Sequence, residues 1–262
     1  MPGTQPAPYR VLILPGLAGC HPDWRAVIDG LDAPVVEYVS GALPGLDPSP
    51  AIAAPAAAAE SAVRGSELPA IVVAHSMGSM PAEVLIRRDV PRLLGVILVD
   101  PSAEPAPNRF FSWLGGFTES VGDFVDQLPM SITKWIGRRI RYTAVCMDAY
   151  GPEPLTPAEV DEEYGRPEAL AAAIRGYGRY YRWATELPAY RDGRVPRIPV
   201  RMLIAGDSVG RELRNQRWLA AQLGAVAEVV PETRHLIYID RPDTIIDAVR
   251  AMAEERSGRS HG

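Results

Sequence analysis

Six short runs of the chain are largely apolar rather than alternating with polar residues: Arg10–Leu14, Val35–Val39, Ala70–Ala74, Gly95–Val99, Val200–Ala205 and Val226–Val230. Apolar runs of this length predict strands buried on both faces, as in a parallel sheet. Segments of helical character separate most of them, at Trp24–Leu31, Pro50–Arg64, Pro81–Asp89, Glu212–Leu223 and Asp243–Glu255. Ser49 is placed to cap the second of these, and Pro50 suits a first helical position. Strands alternating with helices imply βαβ units. The expected fold is therefore α/β, a mostly parallel doubly wound sheet of about six strands.

The alternation fails between Pro101 and Pro199, where roughly ninety residues separate two strands that a single helix should link. Pro-rich segments bound this stretch, Pro101–Pro107 on one side and Val195–Pro199 on the other. Inside it, Thr156-Pro157-Ala158-Glu159 has the form of a capping box with proline at the first helical position. A second helix is expected from Glu168 to about Leu187. The expected organisation is a core formed by residues 9–100 and 196–256. A helical cap at 101–195, inserted after the fourth strand, covers the carboxyl ends of the strands.

All four phenylalanines, three of five tryptophans and seven of ten tyrosines fall within residues 101–190. A small cap needs large side chains for any core of its own, and the same side chains can line an apolar pocket. Phe110, Phe111, Trp113, Tyr177 and Tyr181 are the candidates for contact with substrate.

Composition narrows the function classes. A hydrophobic content of 47% and a charged content of 23% are ordinary for a soluble globular protein. A net charge of −5 and the lack of any Lys/Arg run argue against nucleic acid as a partner. No apolar stretch approaches the length of a membrane span, and Met1–Tyr9 lacks the apolar core of a signal peptide, so a cytoplasmic location is expected. Cys20 and Cys146 are then expected as free thiols. Neither has metal-ligand spacing with a histidine, and no metal or cofactor is expected. Lys134 is the single lysine among 27 basic residues. This arginine bias, with abundant alanine, points to a GC-rich bacterial genome.

The chemistry centres on Ala74-His75-Ser76-Met77-Gly78, between the third strand and the helix that follows it. A serine on a sharp strand-to-helix turn, with small residues two positions away on each side, has the form of a nucleophile elbow. Such a serine needs a base, and the base needs an orienting acid. His261 lies in the tail, His75 is inside the elbow with its ring expected to point away from Ser76, and His21 sits in an early loop. His235, just past the sixth strand, is the expected base. Two aspartates end strands at the same edge, Asp100 after the fourth and Asp207 after the fifth. Asp207 is favoured as the acid, and Asp100 is read as a structural residue at the start of the cap. The backbone N–H of Met77 and that of Leu17, in the loop Leu14-Pro15-Gly16-Leu17-Ala18-Gly19, are the candidate oxyanion donors.

The chain order Ser76, Asp207, His235, with the elbow after the third strand, resembles the α/β-hydrolase fold superfamily of the serine-nucleophile, esterase- and lipase-like type. Pro15-Gly16-Leu17-Ala18-Gly19 with Trp24 downstream resembles the His-Gly-x-x-Gly oxyanion loop of that superfamily. His235 followed by Pro242 matches its last loop and the start of its final helix. The resemblance spans about residues 9–255. Departures are Ala74 for the first elbow glycine, Pro15 for the loop histidine, and Arg234 where a glycine often precedes the histidine. With about eight residues before the first strand, the first two strands of the fuller fold are expected to be missing.

The resemblance implies a serine hydrolase acting on an ester, lactone or thioester of a small to medium apolar molecule. Such a protein is expected to be a monomer or homodimer without a membrane or nucleic-acid partner. Acyl transfer, cyclisation or elimination of an acyl group in natural-product biosynthesis would use the same residues. A binding module that retains the fold without catalysis is the remaining alternative.

Overall fold

The computed structural model of the protein describes residues 8–31, 33, 35–38, 51–103, 114–191 and 195–259. Six strands lie among them: β1 (Arg10–Leu14), β2 (Val35–Tyr38), β3 (Ala70–His75), β4 (Leu93–Val99), β5 (Val200–Ala205) and β6 (Val226–Val230). They form one sheet in the order β2-β1-β3-β4-β5-β6, with every neighbouring pair parallel. Each expected strand is present, within two residues at its ends. The helices α1 (Arg25–Gly30), α2 (Ala53–Arg64) and α3 (Ser79–Arg87) lie among the first four strands, and α8 (Gly210–Leu223), α9 (Ile237–Asp240) and α10 (Pro242–Arg259) belong to the C-terminal part. Ser49, Pro50 and Val39 fall outside the described residues.

Within the central strands, successive side chains enter two different cores. Val11, Ile13, Ile71, Val73, Ile97 and Val99 pack with α10 residues such as Ile245, Val249 and Met252. Leu12, Leu14, Val72, Ala74, Val96 and Leu98 pack with Ala59, Leu85 and Leu219 on the opposite face. Because side chains alternate across a strand, an apolar residue at every position means that both faces are covered, as in a doubly wound sheet. The edge strand β6 departs from this expectation, since Val226 and Val229 are 68% and 44% exposed. It has a neighbour on one side only and is covered less completely.

Between β4 and β5 lie α4 (Leu114–Val125), α5 (Met130–Asp148), α6 (Pro157–Tyr164) and α7 (Pro167–Glu186). The capping box forms as expected. Thr156 Oγ1 accepts from Glu159 N at 3.3 Å, and Glu159 Oε2 accepts from Thr156 N at 2.8 Å. α4 packs along α7, and α5 packs against α6. A Cβ on Gly137 of α5 would come within 2.0 Å of the Tyr164 carbonyl oxygen, so only glycine permits that approach.

A buried ionic cluster ties α5 and α6 to the loop after β1. Arg141 donates to Asp23 at 2.6 Å and to Glu153 at 2.8 Å, and Tyr164 Oη donates to Asp23 at 3.0 Å. Cys20 and Cys146 are free thiols. Among the described residues, no helix is long and apolar enough to cross a membrane.

Candidate active site

β3 delivers Ser76 at its carboxyl end, and the chain turns at once through a short 3₁₀ segment into α3. Ser76 has φ +49°, a left-handed conformation that costs energy for any residue with a Cβ. The turn is held by bonds to the Ser76 carbonyl, from Ser79 Oγ at 2.5 Å and Ser102 N at 3.2 Å. Gly78 is needed for a steric reason, since a Cβ there would lie 2.4 Å from the Pro15 carbonyl oxygen. Local strain at Ser76 is thus over-determined by its surroundings.

His235 Nε2 lies 2.9 Å from Ser76 Oγ, and His235 Nδ1 lies 2.6 Å from Asp100 Oδ2. The carboxylate on His235 is therefore Asp100 and not Asp207, which corrects the expectation from sequence. The sheet order supplies the reason. β4 borders β3, so Asp100, the residue after β4, sits beside the elbow, whereas β5 is one strand further away. Asp100 also adopts φ +39°, and its backbone N–H donates to Leu203 O at 2.7 Å, which fixes the turn that carries its carboxylate. Asp207 instead has a side chain 45% exposed, with Arg234 at 3.9 Å as its ion-pair partner.

Asp100 is 2% exposed and has no wasted acceptor. Its Oδ1 accepts from Ala205 N at 2.9 Å and from Gln216 Nε2 at 2.8 Å. Burial raises its pKa, but the hydrogen bond and charge of His235, with these two donors, outweigh burial and hold it below the usual carboxylate value. For His235 the balance is reciprocal. Burial disfavours the imidazolium, yet the Asp100 bond and charge overcome burial and raise its pKa above the ordinary histidine value. With Nδ1–H donating to Asp100, Nε2 is free to accept the Ser76 proton.

His75 makes no bond to Ser76 Oγ, and it is not a bystander. Its Nε2 lies 3.0 Å from the His235 carbonyl oxygen, and its ring packs 4.7 Å from that of His235. Burial and the neighbouring His235 charge push its pKa down to about 3, so it is neutral and donates that bond. Arg234 holds the same loop from the other side, donating to Cys146 O at 2.9 Å and Met147 O at 3.3 Å. Asp240 adds bonds from Arg234 N, Tyr150 N and Gly151 N at 2.7–2.8 Å. The departure from glycine at position 234 thus joins the histidine loop to the end of α5.

Leu17 and Met77 line the same cavity as Ser76. Gly16 lets their two segments approach, since a Cβ there would lie 2.7 Å from His75 Nδ1 and 3.0 Å from Ser76 Cβ. The cavity has a volume of about 520 Å³. Small and aliphatic residues of α5 and α7, such as Ile140, Ala144, Ala173 and Ile174, form much of its wall. Tyr177 and Tyr181 line it, as does their neighbour Tyr180. Phe117 and Phe124 are 60% and 64% exposed. Phe110, Phe111 and Trp113 lie outside the described residues. Gln216 acts through a contact with the distant Asp100, and no local motif marks it.

The model of the Alpha/beta hydrolase family matches residues 11–248, and the chain belongs to that family. An α/β-hydrolase fold protein from Burkholderia ambifaria is 18% identical, with 94% of this chain and 92% of that chain covered and a TM-score of 0.67. A thermophilic esterase from Thermogutta terrifontis is 19% identical over 95% and 90% of the chains, with a TM-score of 0.64. The Cif epoxide hydrolase from Acinetobacter nosocomialis is 16% identical over 94% and 82%, with a TM-score of 0.65. None of the curated proteins compared with the chain matches it in sequence.

Proposed function

We propose that this protein is a serine hydrolase that cleaves an ester, lactone or thioester of a small to medium, largely apolar molecule through an acyl-serine. The observation that carries this reading is the unbroken series Ser76 Oγ, His235, Asp100, with links of 2.9 and 2.6 Å, opening on an apolar cavity.

In this mechanism Ser76 Oγ attacks the substrate carbonyl carbon while His235 Nε2 takes the hydroxyl proton. Asp100 keeps the ring in the correct tautomer and stabilises the imidazolium. The electron pair of the carbonyl moves to its oxygen, which the N–H groups of Leu17 and Met77 receive. When the intermediate collapses, the bond to the leaving group breaks and His235 returns the proton to it. Water, deprotonated by His235, then attacks the acyl carbon, and the acid leaves with Ser76 restored.

Serine at position 76 favours this ester chemistry over epoxide opening of the kind named for the Acinetobacter neighbour. In that superfamily the epoxide hydrolases have an aspartate nucleophile at the elbow. The test is the intact mass after exposure to a fluorophosphonate. One adduct on the wild type and none on Ser76→Ala or His235→Ala is expected. A folded wild-type protein that takes no adduct contradicts the reading.

A further inference from the structure

Among the described residues, Arg141 and Asp148 are the arginine and the acidic side chain that line the cavity, and their situations differ. Arg141 is compensated twice over, by Asp23 at 2.6 Å and Glu153 at 2.8 Å. Asp148 is half-buried, and its carboxylate makes no hydrogen bond or ion pair with any described residue. The nearby cation Arg234 is committed elsewhere. It donates to carbonyls at the end of α5, lies over the Tyr150 ring at 4.3 Å, and has its ion pair with Asp207.

The position is unfavourable for an acid in a second way. Asp148 is the last residue of the 19-residue helix α5, at the negative end of the helix dipole, where the last carbonyls accept from Ala149 N, Arg234 and Leu236 N. Burial pushes its carboxyl above the usual range; the charges of His235 and Arg234 pull it down and those of Asp207 and Asp100 push it up, and the net shift is upward. A carboxylate that is partly desolvated, with no hydrogen-bonded or ion-paired partner of its own, costs stability that the more distant charges of His235 and Arg234 offset only in part. It is also fixed in place, because its own carbonyl accepts from Leu236 N at 2.8 Å, next to the base.

The wall of the same cavity also suits a cation. Tyr177, Tyr180 and Tyr181 form an edge-to-face group, with centroids 5.4 and 5.3 Å apart, and all three line the cavity. Aromatic faces and a carboxylate in one cavity both attract ammonium groups, most strongly where water is excluded. We propose that Asp148, with these tyrosines, makes the cavity selective for substrates that carry a basic or quaternary nitrogen in the portion held there. This deepens the hydrolase reading by naming a substrate class, and it rests on that reading only for the position of the scissile bond.

The test is a matched pair of ligands, ethyl 4-(trimethylammonio)butanoate and its uncharged isostere ethyl 5,5-dimethylhexanoate. Binding of each to the Ser76→Ala protein is measured by calorimetry, so no turnover is needed, and repeated with Asp148→Asn and with Asp148→Ala added. The expected result is a preference of roughly tenfold for the cationic ester, removed by either change at position 148. Comparing the two esters within one variant cancels any general loss of folded protein. Equal affinities, no measurable binding of the cationic ester, or a preference that survives both changes overturns the proposal. Fluorophosphonate labelling of the otherwise wild-type protein reports on the hydrolase reading separately.

Discussion

Asp100 Oδ2 lies 2.6 Å from His235 Nδ1, and the two residues are 135 positions apart in the chain. Helices α4–α7, β5, α8 and β6 lie between them in sequence, so the pair meets only once the sheet has brought the end of β4 and the last loop together. The bond has electrostatic consequences for both partners, and each can be measured.

Asp100→Asn should lower kcat by about 10³- to 10⁴-fold, because an amide at that position stabilises neither the correct tautomer nor the imidazolium. Asp207→Asn should stay within about threefold, since exposed ion pairs contribute little. Steady-state rates with an activated ester check the pair. The opposite ranking assigns the acid to Asp207.

The pH profile should carry the same signature. His235 acts as a base only when neutral, so kcat/KM rises with pH through its free-enzyme pKa. Burial alone lowers that pKa, but Asp100 more than reverses this and moves it above the ordinary histidine value. The acid limb is therefore expected above the usual histidine range in the wild type. Removing the Asp100 charge leaves burial opposed only by the smaller effects of Asp148 and Glu212, so the residual activity of Asp100→Asn should have its limb at lower pH. A limb that does not move shows that Asp100 is not what sets it.

Gly16→Ala tests the loop after β1. The added Cβ would meet His75 Nδ1 at 2.7 Å and Ser76 Cβ at 3.0 Å, so the loop must withdraw and take the Leu17 N–H with it. Loss of one oxyanion donor costs about 10²- to 10³-fold in kcat. The change should appear in kcat far more than in the melting temperature. A variant with wild-type kcat excludes Leu17 as a donor.

Arg141→Met tests how the insertion is held. Arg141 and Asp23 have side chains 5% and 0% exposed, so removing the cation leaves a buried carboxylate unpaired. A loss of about 3–5 kcal/mol is expected from urea unfolding. Arg141→Met with Asp23→Leu should recover part of it. A single variant as stable as wild type shows that the cluster does not clamp the insertion to the sheet.

The sheet was legible because parallel strands must be apolar on both faces, and runs such as Ala70–Val73 and Val96–Val99 have few other uses. Ser76 was legible because the elbow compresses its requirements into five residues. Asp100 and Asp207 looked alike because each ends a strand at the same edge. Choosing between them requires the strand order and the positive φ of Asp100, neither of which is local. The helix α5 had no marker of its own. Trp135, Ile140 and Met147 are exposed at 71%, 51% and 67%, so its apolar residues do not form a single stripe. For that reason Asp148, at its end, could not be connected with His235 from sequence.

The most direct test is to quench the enzyme during turnover of an activated ester and determine its intact mass and modified peptide. One acyl group on the peptide containing Ser76, formed faster than product is released and absent from Ser76→Ala, is the predicted result. Turnover without a covalent adduct, or an adduct on another residue, would contradict the acyl-serine mechanism.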